Sequence, residues 1–351
     1  MTHAIDPFTF KHNIMYQMTY RRMNSLQWLL LGLLLSLIGC STSTPNPETD
    51  ANEATTLTPV TLQLNWFPEA EHGGYYAALE HGFFSEEGLD VTILPGGPNA
   101  SVIQQVALGR IDFAVTNADR VIFARDADID VTALMAPIQN TPRCIMVHQE
   151  TGITQLQDLR DVTLAIGTGP AFFKYMQLKL PLQNVKTVAY TGSIGAFLID
   201  KQYAQQAYVF SEPFIAQQQG AKPVTLMLSE LGYNPYASVL VTRTETTSSR
   251  SDLTRRMVRA SVRGWEQYLT DAKPTNSYID SLNDEIDMAA LEFGAQALAK
   301  LCRGDEAETP IGTMTEKRWE TLIDQLEEID AIEDKKVIAA DVFNGEYLPA
   351  P

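Results

Sequence analysis

The sequence predicts an α/β protein of two lobes that ends in helices. Three observations carry this. Short β-branched or apolar runs alternate with helical patterns from residue 60 onward, the alternation restarts near Arg143, and no new strand is needed after about Thr242. The first block has strand patterns at 60–64, 91–94, 112–115 and 131–136, with helical patterns at 74–80 and 100–108. The second has strand patterns at 144–147, 162–166, 185–190, 207–210, 224–227 and 238–242. Leu253, Met257, Ala260, Val262, Trp265 and Leu269 then recur at helical spacing, and further helices are expected over 288–301 and 315–329. A chain that leaves one block, builds a second and returns must cross twice. The expected crossings are 143–147 and 238–242, with lobe 1 formed by 60–142 and 243–351 and lobe 2 by 143–242. A cleft between the lobes, beyond the carboxyl ends of the strands, is then the place for a ligand.

What precedes residue 60 has a different character. Arg21 and Arg22 stand before the apolar run Leu29 to Ile38, which ends at Gly39-Cys40. A basic patch, a short apolar core and a small residue before the cut read as a secretory signal over 1–40. The run is short for a spanning helix, which needs about 20 apolar residues. The basic residues sit far from Met1, so Met18 and Met23 are candidate starts. Leu37-Ile38-Gly39-Cys40 resembles a bacterial lipobox, which implies a lipid on Cys40 and a chain anchored in the cell envelope. The stretch 41–59 is Ser, Thr, Pro, Asn and Glu with little to bury, and reads as a tether.

The chain carries a formal charge of −17. Removing Lys11, Arg21, Arg22 and Asp6 with residues 1–40 leaves −19. So acidic a surface repels nucleic acid and anionic lipid. Beyond Cys40 only Cys144 and Cys302 remain, with no CxxC spacing for zinc or redox work. One disulfide between them is possible, and two separate buried thiols are favoured. Gly-x-Ser-x-Gly, P-loop and His-Glu-x-x-His signatures are missing, so no enzyme, no resident cofactor and no metal is expected.

Several segments point to a pocket. Trp66, just past a strand end, is placed to stack on a flat ring, with Asn65 and Glu69 able to hydrogen-bond its edge; a core aromatic is the alternative. Gly73 and Gly74 would let backbone approach a bound group at a helix start. Gly167-Thr168-Gly169-Pro170 and Tyr190-Thr191-Gly192-Ser193 offer polar turns from the second block, or are simply tight turns. Asn117, Asp119 and Glu212 are either helix caps or ligand contacts. Tyr236, beside the return crossing, is placed to close the cleft.

Asn65-Trp66-Phe67-Pro68-Glu69-Ala70-Glu71-His72-Gly73-Gly74-Tyr75-Tyr76 resembles the opening of the thiamine-pyrimidine-precursor family of periplasmic-binding-like proteins. Glu80-His81-Gly82-Phe83-Phe84 through Gly88-Leu89-Asp90-Val91 resembles its continuation. Gly109-Arg110-Ile111-Asp112-Phe113 resembles a strand entry shared with nitrate, sulfonate and taurine binding proteins, and Ser211-Glu212-Pro213 a helix start of the same superfamily. The resemblance implies a type II periplasmic-binding fold and a monomeric lipoprotein that hands a small ligand to an ABC permease and ATPase. The ligand it implies is a pyrimidine precursor or similar planar heterocycle; a sulfonate- or nitrate-type anion and a flavin are the alternatives. An anion would need arginines, for which Arg143 and Arg120 are the nearby candidates. Family members that synthesise the pyrimidine carry a histidine in this motif together with a cysteine cluster. This chain has His72 without the cluster, so His72 is expected as a polar pocket or helix-start residue, and synthase-like chemistry is the rival of another class.

Overall fold

The computed structural model describes residues 56–349 apart from Asn99, Thr168, Pro170 and residues 304–308. Cys40, the run before it and most of the expected tether lie outside the described residues, as does Thr168. None of the described helices is long and apolar enough to cross a membrane.

Among the described residues, ten strands form two five-stranded sheets. In chain order they are β1 (Thr58–Gln63), β2 (Leu89–Leu94), β3 (Phe113–Thr116), β4 (Val131–Met135), β5 (Arg143–His148), β6 (Thr163–Ile166), β7 (Lys186–Ala189), β8 (Tyr203–Tyr208), β9 (Pro223–Met227) and β10 (Val239–Arg243). The first sheet runs β2-β1-β3-β10-β4 and the second β7-β6-β8-β5-β9. Each joins parallel strands to one antiparallel insertion. β1 pairs parallel with β2 and β3, while β10 enters antiparallel between β3 and β4. In the second sheet β6 pairs parallel with β7 and β8, and β5 lies antiparallel between β8 and β9. Helices cover both faces, so strands such as β3 and β4 are buried along their whole length and read as mostly apolar runs.

The crossings lie slightly earlier in the chain than the sequence suggests. Residues 143–147 already belong to β5, and 238–242 lead into and form β10. The passages themselves are the stretches just before them, joined by an antiparallel bridge between Ile138 and Ala237. Asn234 ties them further, its Oδ1 accepting from Thr141 N at 2.7 Å and its Nδ2 donating to Asn140 Oδ1 at 2.9 Å. Ser238 sits there at φ 53°, in the left-handed region that costs a non-glycine residue energy. Tyr75 Oη donates to its carbonyl at 2.8 Å, and its own Oγ donates to Glu71 O at 3.0 Å.

Two glycines named from the sequence serve packing. The helix Gly73–Glu80 lies against the helix Ser251–Thr270. A Cβ at Gly73 would fall 2.1 Å from the Tyr268 ring, and one at Gly74 2.1 Å from the Trp265 ring. Across the contact, a Cβ at Gly264 would meet Gly74 O at 2.2 Å. The missing side chains let the two backbones touch, and no ligand is needed to explain them.

The expected strand at 207–210 is instead β8, some four residues earlier. Its buried Gln205 and half-buried Gln206 break the apolar pattern that sequence reading relies on. Three helices had no clear signal: Thr244–Ser249, Lys273–Asp280 and Ala339–Val342. Cys144 and Cys302 are separate, buried, free thiols.

Candidate functional site

A cavity of about 570 Å³ opens between the two sheets, lined by both. From the first sheet's side come Asn65, Trp66, Glu69, Glu71, Pro98, Asn117, Asp119 and Arg120. The second sheet's side supplies Arg143, Gly167, Phe172, Tyr190, Thr191, Gly192, Gln206, Ala207, Tyr208, Ser211 and Glu212. Most stand at strand ends or in the turns just beyond them, where side chains are released from the sheet.

Trp66 follows β1 and reaches across the opening. Its indole edge comes within 3.9 Å of where a Cβ of Gly192 would stand. The turn carrying Trp66 is braced by the next loop, Gly96 N donating to Trp66 O at 2.9 Å. A Cβ at Gly96 would meet Leu64 O at 2.2 Å, so that approach requires glycine.

Three glutamates form one end. Glu69 Oε2 accepts from Ser211 Oγ at 3.3 Å, a bond between the two sides. Glu71 Oε1 accepts from Asn65 Nδ2 at 3.1 Å. Both oxygens of Glu212 are engaged, Oε1 by Tyr190 Oη at 2.6 Å and Oε2 by Tyr208 N at 2.8 Å. Glu212 is the first residue of the helix Glu212–Gln218, and its carboxylate turns back to the strand end. Burial, with Glu71 and Glu212 close by, pushes the Glu69 carboxyl well above its ordinary range. Burial likewise raises Glu71 to about 7, against the opposing pull of Asn65 and Arg143. At neutral pH this end therefore offers acidic protons as well as acceptors.

The other end is built around the Tyr208 hydroxyl. Asn117 Nδ2 and Arg143 Nη2 approach it at 3.0 and 3.1 Å. Arg143 is held between the rings of Phe172 and Tyr208, 4.6 and 4.9 Å from their centroids. Asn117 precedes the helix Ala118–Asp126 but its side chain makes no cap; it reaches across to the other sheet instead. Gln206 Oε1 accepts from Gly167 N at 2.7 Å and fixes the turn after β6.

A family model described as NMT1/THI5 like matches residues 69–275, more than half of the chain. The chain belongs to the NMT1/THI5-like family. It is similar to the riboflavin-binding protein RibY of Chloroflexus aurantiacus, 26% identical over 298 residues, 79% of this chain and 84% of that protein. It is also similar to the formylaminopyrimidine-binding protein of Halalkalibacterium halodurans, 24% identical over 327 residues, 90% of this chain and 97% of that one. Among solved structures, the periplasmic aliphatic sulphonate binding protein SsuA of Escherichia coli superposes with a TM-score of 0.63 at 12% identity, over 84% of this chain and 94% of that one. Likeness at that identity speaks for the fold, the bilobal type II periplasmic-binding arrangement.

Of the residues named from the sequence as ligand contacts, the cavity brings together Asn65, Trp66, Glu69, Asn117, Asp119, Arg120, Arg143, Tyr190, Gly192 and Glu212. His72, Gly73, Ser193 and Tyr236 stand apart from it. His72 is fully buried, its Nε2 3.0 Å from Asn65 Oδ1. Burial lowers it to about 3, so it is a neutral ring that orients Asn65 from behind. Gly73 is spent on the Tyr268 contact. Ser193 is exposed, and its Oγ accepts locally from Gly195 N at 3.1 Å. Tyr236, expected to close the cleft, is buried beneath Arg318, with its hydroxyl accepting from Thr315 N at 3.1 Å. It fastens the C-terminal helices to the first lobe.

Sequence reading missed Glu71, Pro98, Gln206 and Tyr208 as site residues. The spacing Glu69-x-Glu71 was a usable signal, since two carboxylates so close to a strand end are poor core residues. Gln206 had none, because it precedes the expected strand at 207–210, and Tyr208 within that strand looks like any other strand aromatic.

Proposed function

We propose that this chain is the solute-binding lipoprotein of an ABC-type importer, capturing a planar, N–H-bearing heterocycle by lobe closure, with a thiamine-pyrimidine precursor or a similar ring as the ligand. The observation that carries this reading is a cavity between two lobes, walled by Trp66, Phe172, Tyr190 and Tyr208 and edged by three glutamates. Aromatic walls suit a flat ring. A raised carboxyl suits its edge, because a protonated carboxyl donates to a ring nitrogen while accepting from a neighbouring amino group. The two relatives named above are called binding proteins for a pyrimidine and for a flavin, and both ligands present such an edge. Glu69, Glu71, Glu212 and Asp119 crowd the cavity with acceptor oxygens that an acceptor-only sulfonate or nitrate would not satisfy, which weighs against those anions. His72, buried away from the cavity and neutral, supports no proton transfer in it. Delivery would require a permease and an ATPase on other chains, with the lipid on Cys40 holding this one, as a monomer, at the membrane.

A thermal-shift screen of the purified chain against pyrimidines, flavins, alkanesulfonates and nitrate tests the reading. Ligand at a hundredfold its Kd stabilises by about 2.7 kcal/mol, a shift of several degrees. A planar heterocycle should raise the midpoint, and Trp66→Ala should abolish that rise. Shifts with sulfonate or nitrate alone would sink the heterocycle assignment, and no shift with any class would sink the binding-protein reading.

A further inference from the structure

Beside the cavity, one helix joins the two sheets' sides without lining the ligand space. The helix Met288–Leu301 belongs to the first sheet's side, where it packs on the helices Ser251–Thr270 and Lys273–Asp280. Its last residue stands at the outgoing passage, Leu301 O accepting from Gln139 N at 3.0 Å and from Asn140 N at 2.9 Å. In its middle, a Cβ at Gly294 would lie 2.7 Å from Ala70 Cβ and 3.3 Å from Phe210 O. Those two residues adjoin Glu69 and Ser211, so the helix backs the hydrogen bond that crosses the cleft there.

Nearer its start the helix reaches the second sheet's side. The Phe293 ring stacks on Phe214 of the helix Glu212–Gln218, which itself packs on β8 and β9. The ring centroids are 4.5 Å apart and the planes 14° from parallel. Asp287 caps the helix through Oδ1, which accepts from Ala290 N at 2.8 Å, while its Oδ2 accepts from Gln218 Nε2 at 3.2 Å. None of these four side chains lines the cavity.

A hinge at the passages keeps contacts at the pivot and separates those far from it. Along the helix Phe293 lies about 12 Å from Leu301, and Asp287 about 21 Å, at 1.5 Å per residue. A gap of about 1 Å already forfeits about half of the attraction between packed atoms. The stack and the Gln218–Asp287 bond therefore belong to the arrangement in which Glu69 meets Ser211, Asn117 meets Tyr208 and Trp66 approaches Gly192. A ligand competes for the polar groups inside the cleft. It leaves the outer contact intact.

We infer that Phe214, Phe293, Gln218 and Asp287 form an affinity-setting contact, which holds the closed arrangement from outside the cavity and so tightens binding of whatever solute the cleft takes. This rests on the solute-binding reading above. A stacked aromatic pair of this kind changes an equilibrium by about two- to tenfold.

The test uses the full chain labelled with 5-fluorotryptophan. The Trp66 fluorine resonance, assigned by its loss in Trp66→Phe, reports the approach to Gly192 with no ligand present. Phe214→Ala and Phe293→Ala should each move it in the same direction, and the double variant should move it no further. By calorimetry, each should weaken 4-amino-5-hydroxymethyl-2-methylpyrimidine and riboflavin by one common factor, about fivefold. Gln218→Ala, at an exposed position that puts folding at no risk, should act in the same direction to a smaller extent. Phe83→Ala removes a half-buried ring that stacks on His81 and lies beneath Arg263, both on the first sheet's side, and should leave both readouts unchanged. An unmoved Trp66 resonance, tighter binding, different factors for the two probes, or effects of Phe214→Ala and Phe293→Ala that simply add would overturn the inference. If neither probe binds, the reading of the ligand fails by itself, and the resonance still decides the inference.

Discussion

Glu71 gives the sharpest quantitative test of the site's electrostatics. Its carboxyl is almost fully buried and titrates at about 7 in the folded chain, against an ordinary value of 4.5. A carboxyl whose folded value is raised holds its proton better folded than unfolded. Its contribution to stability is therefore greatest below pH 4.5 and falls between 4.5 and about 7, staying constant above that. At about 1.4 kcal/mol per unit, the loss across that window is about 3 kcal/mol. Glu71→Gln keeps the shape and the Asn65 contact but cannot ionise. The assay is urea unfolding of both proteins at intervals from pH 4.5 to 8. The surface carboxylates impose their own pH dependence on each protein, but it cancels in the difference. Glu71→Gln should gain on the native chain by about 3 kcal/mol as pH rises, with the change complete near pH 7.5. A difference independent of pH, or one that moves in favour of the native chain, would refute the burial argument for the carboxylate end.

Three further outcomes are expected. Gly264→Ala should destabilise the protein by about 3 kcal/mol in denaturant unfolding, because the added methyl group would lie 2.2 Å from Gly74 O and 2.6 Å from Ala78 Cβ, so that whole helices must separate. The His72 ring, lowered to about 3 by burial, should show no inflection in an NMR titration from pH 4.5 to 8. Cys40→Ser should move the chain from the membrane fraction to the soluble one after cell lysis, and an unchanged distribution would count against the lipobox.

The alternating architecture was legible because local signals and tertiary need agree in it. β3, inside its sheet, and β4, at its edge, are buried along their whole length, so each is largely apolar and reads as a strand. The helix Ser251–Thr270 shows its buried stripe in plain 3.6-residue spacing. Within the cavity, the residues legible in the sequence lie in a recognisable motif, as Asn65, Trp66, Glu69 and Glu212 do, or at a polar turn or helix start, as Asn117, Tyr190 and Gly192 do. Gly73 looks the same in sequence whether glycine admits a ligand or another helix, and only Tyr268, almost two hundred residues away, decides between them. Tyr236 followed the same logic. It lies next to Ala237, which bridges to Ile138, but the direction of its ring depends on Arg318 and Thr315 far along the chain. What the sequence withheld was long-range pairing, which local pattern does not encode.

The carboxylates also separate what this cavity does for folding from what it does for a ligand. Glu69 and Glu71 do not stabilise the protein, since burial disfavours the charge of each and the neighbouring Glu212 makes both harder to ionise. Glu212 is the exception that clarifies the others. Both its oxygens are occupied by Tyr190 and Tyr208, so it is satisfied without any ligand and holds the two strand-end turns together. Glu69 and Glu71 each accept one hydrogen bond, from Ser211 and Asn65, through a single oxygen. Their second oxygens have no partner among the described residues and belong to side chains that line the cavity. A donor-bearing ring edge would relieve both at once. Because Ser211 and Glu69 stand on opposite sides of the cleft, the same contact would also favour the closed arrangement of the lobes.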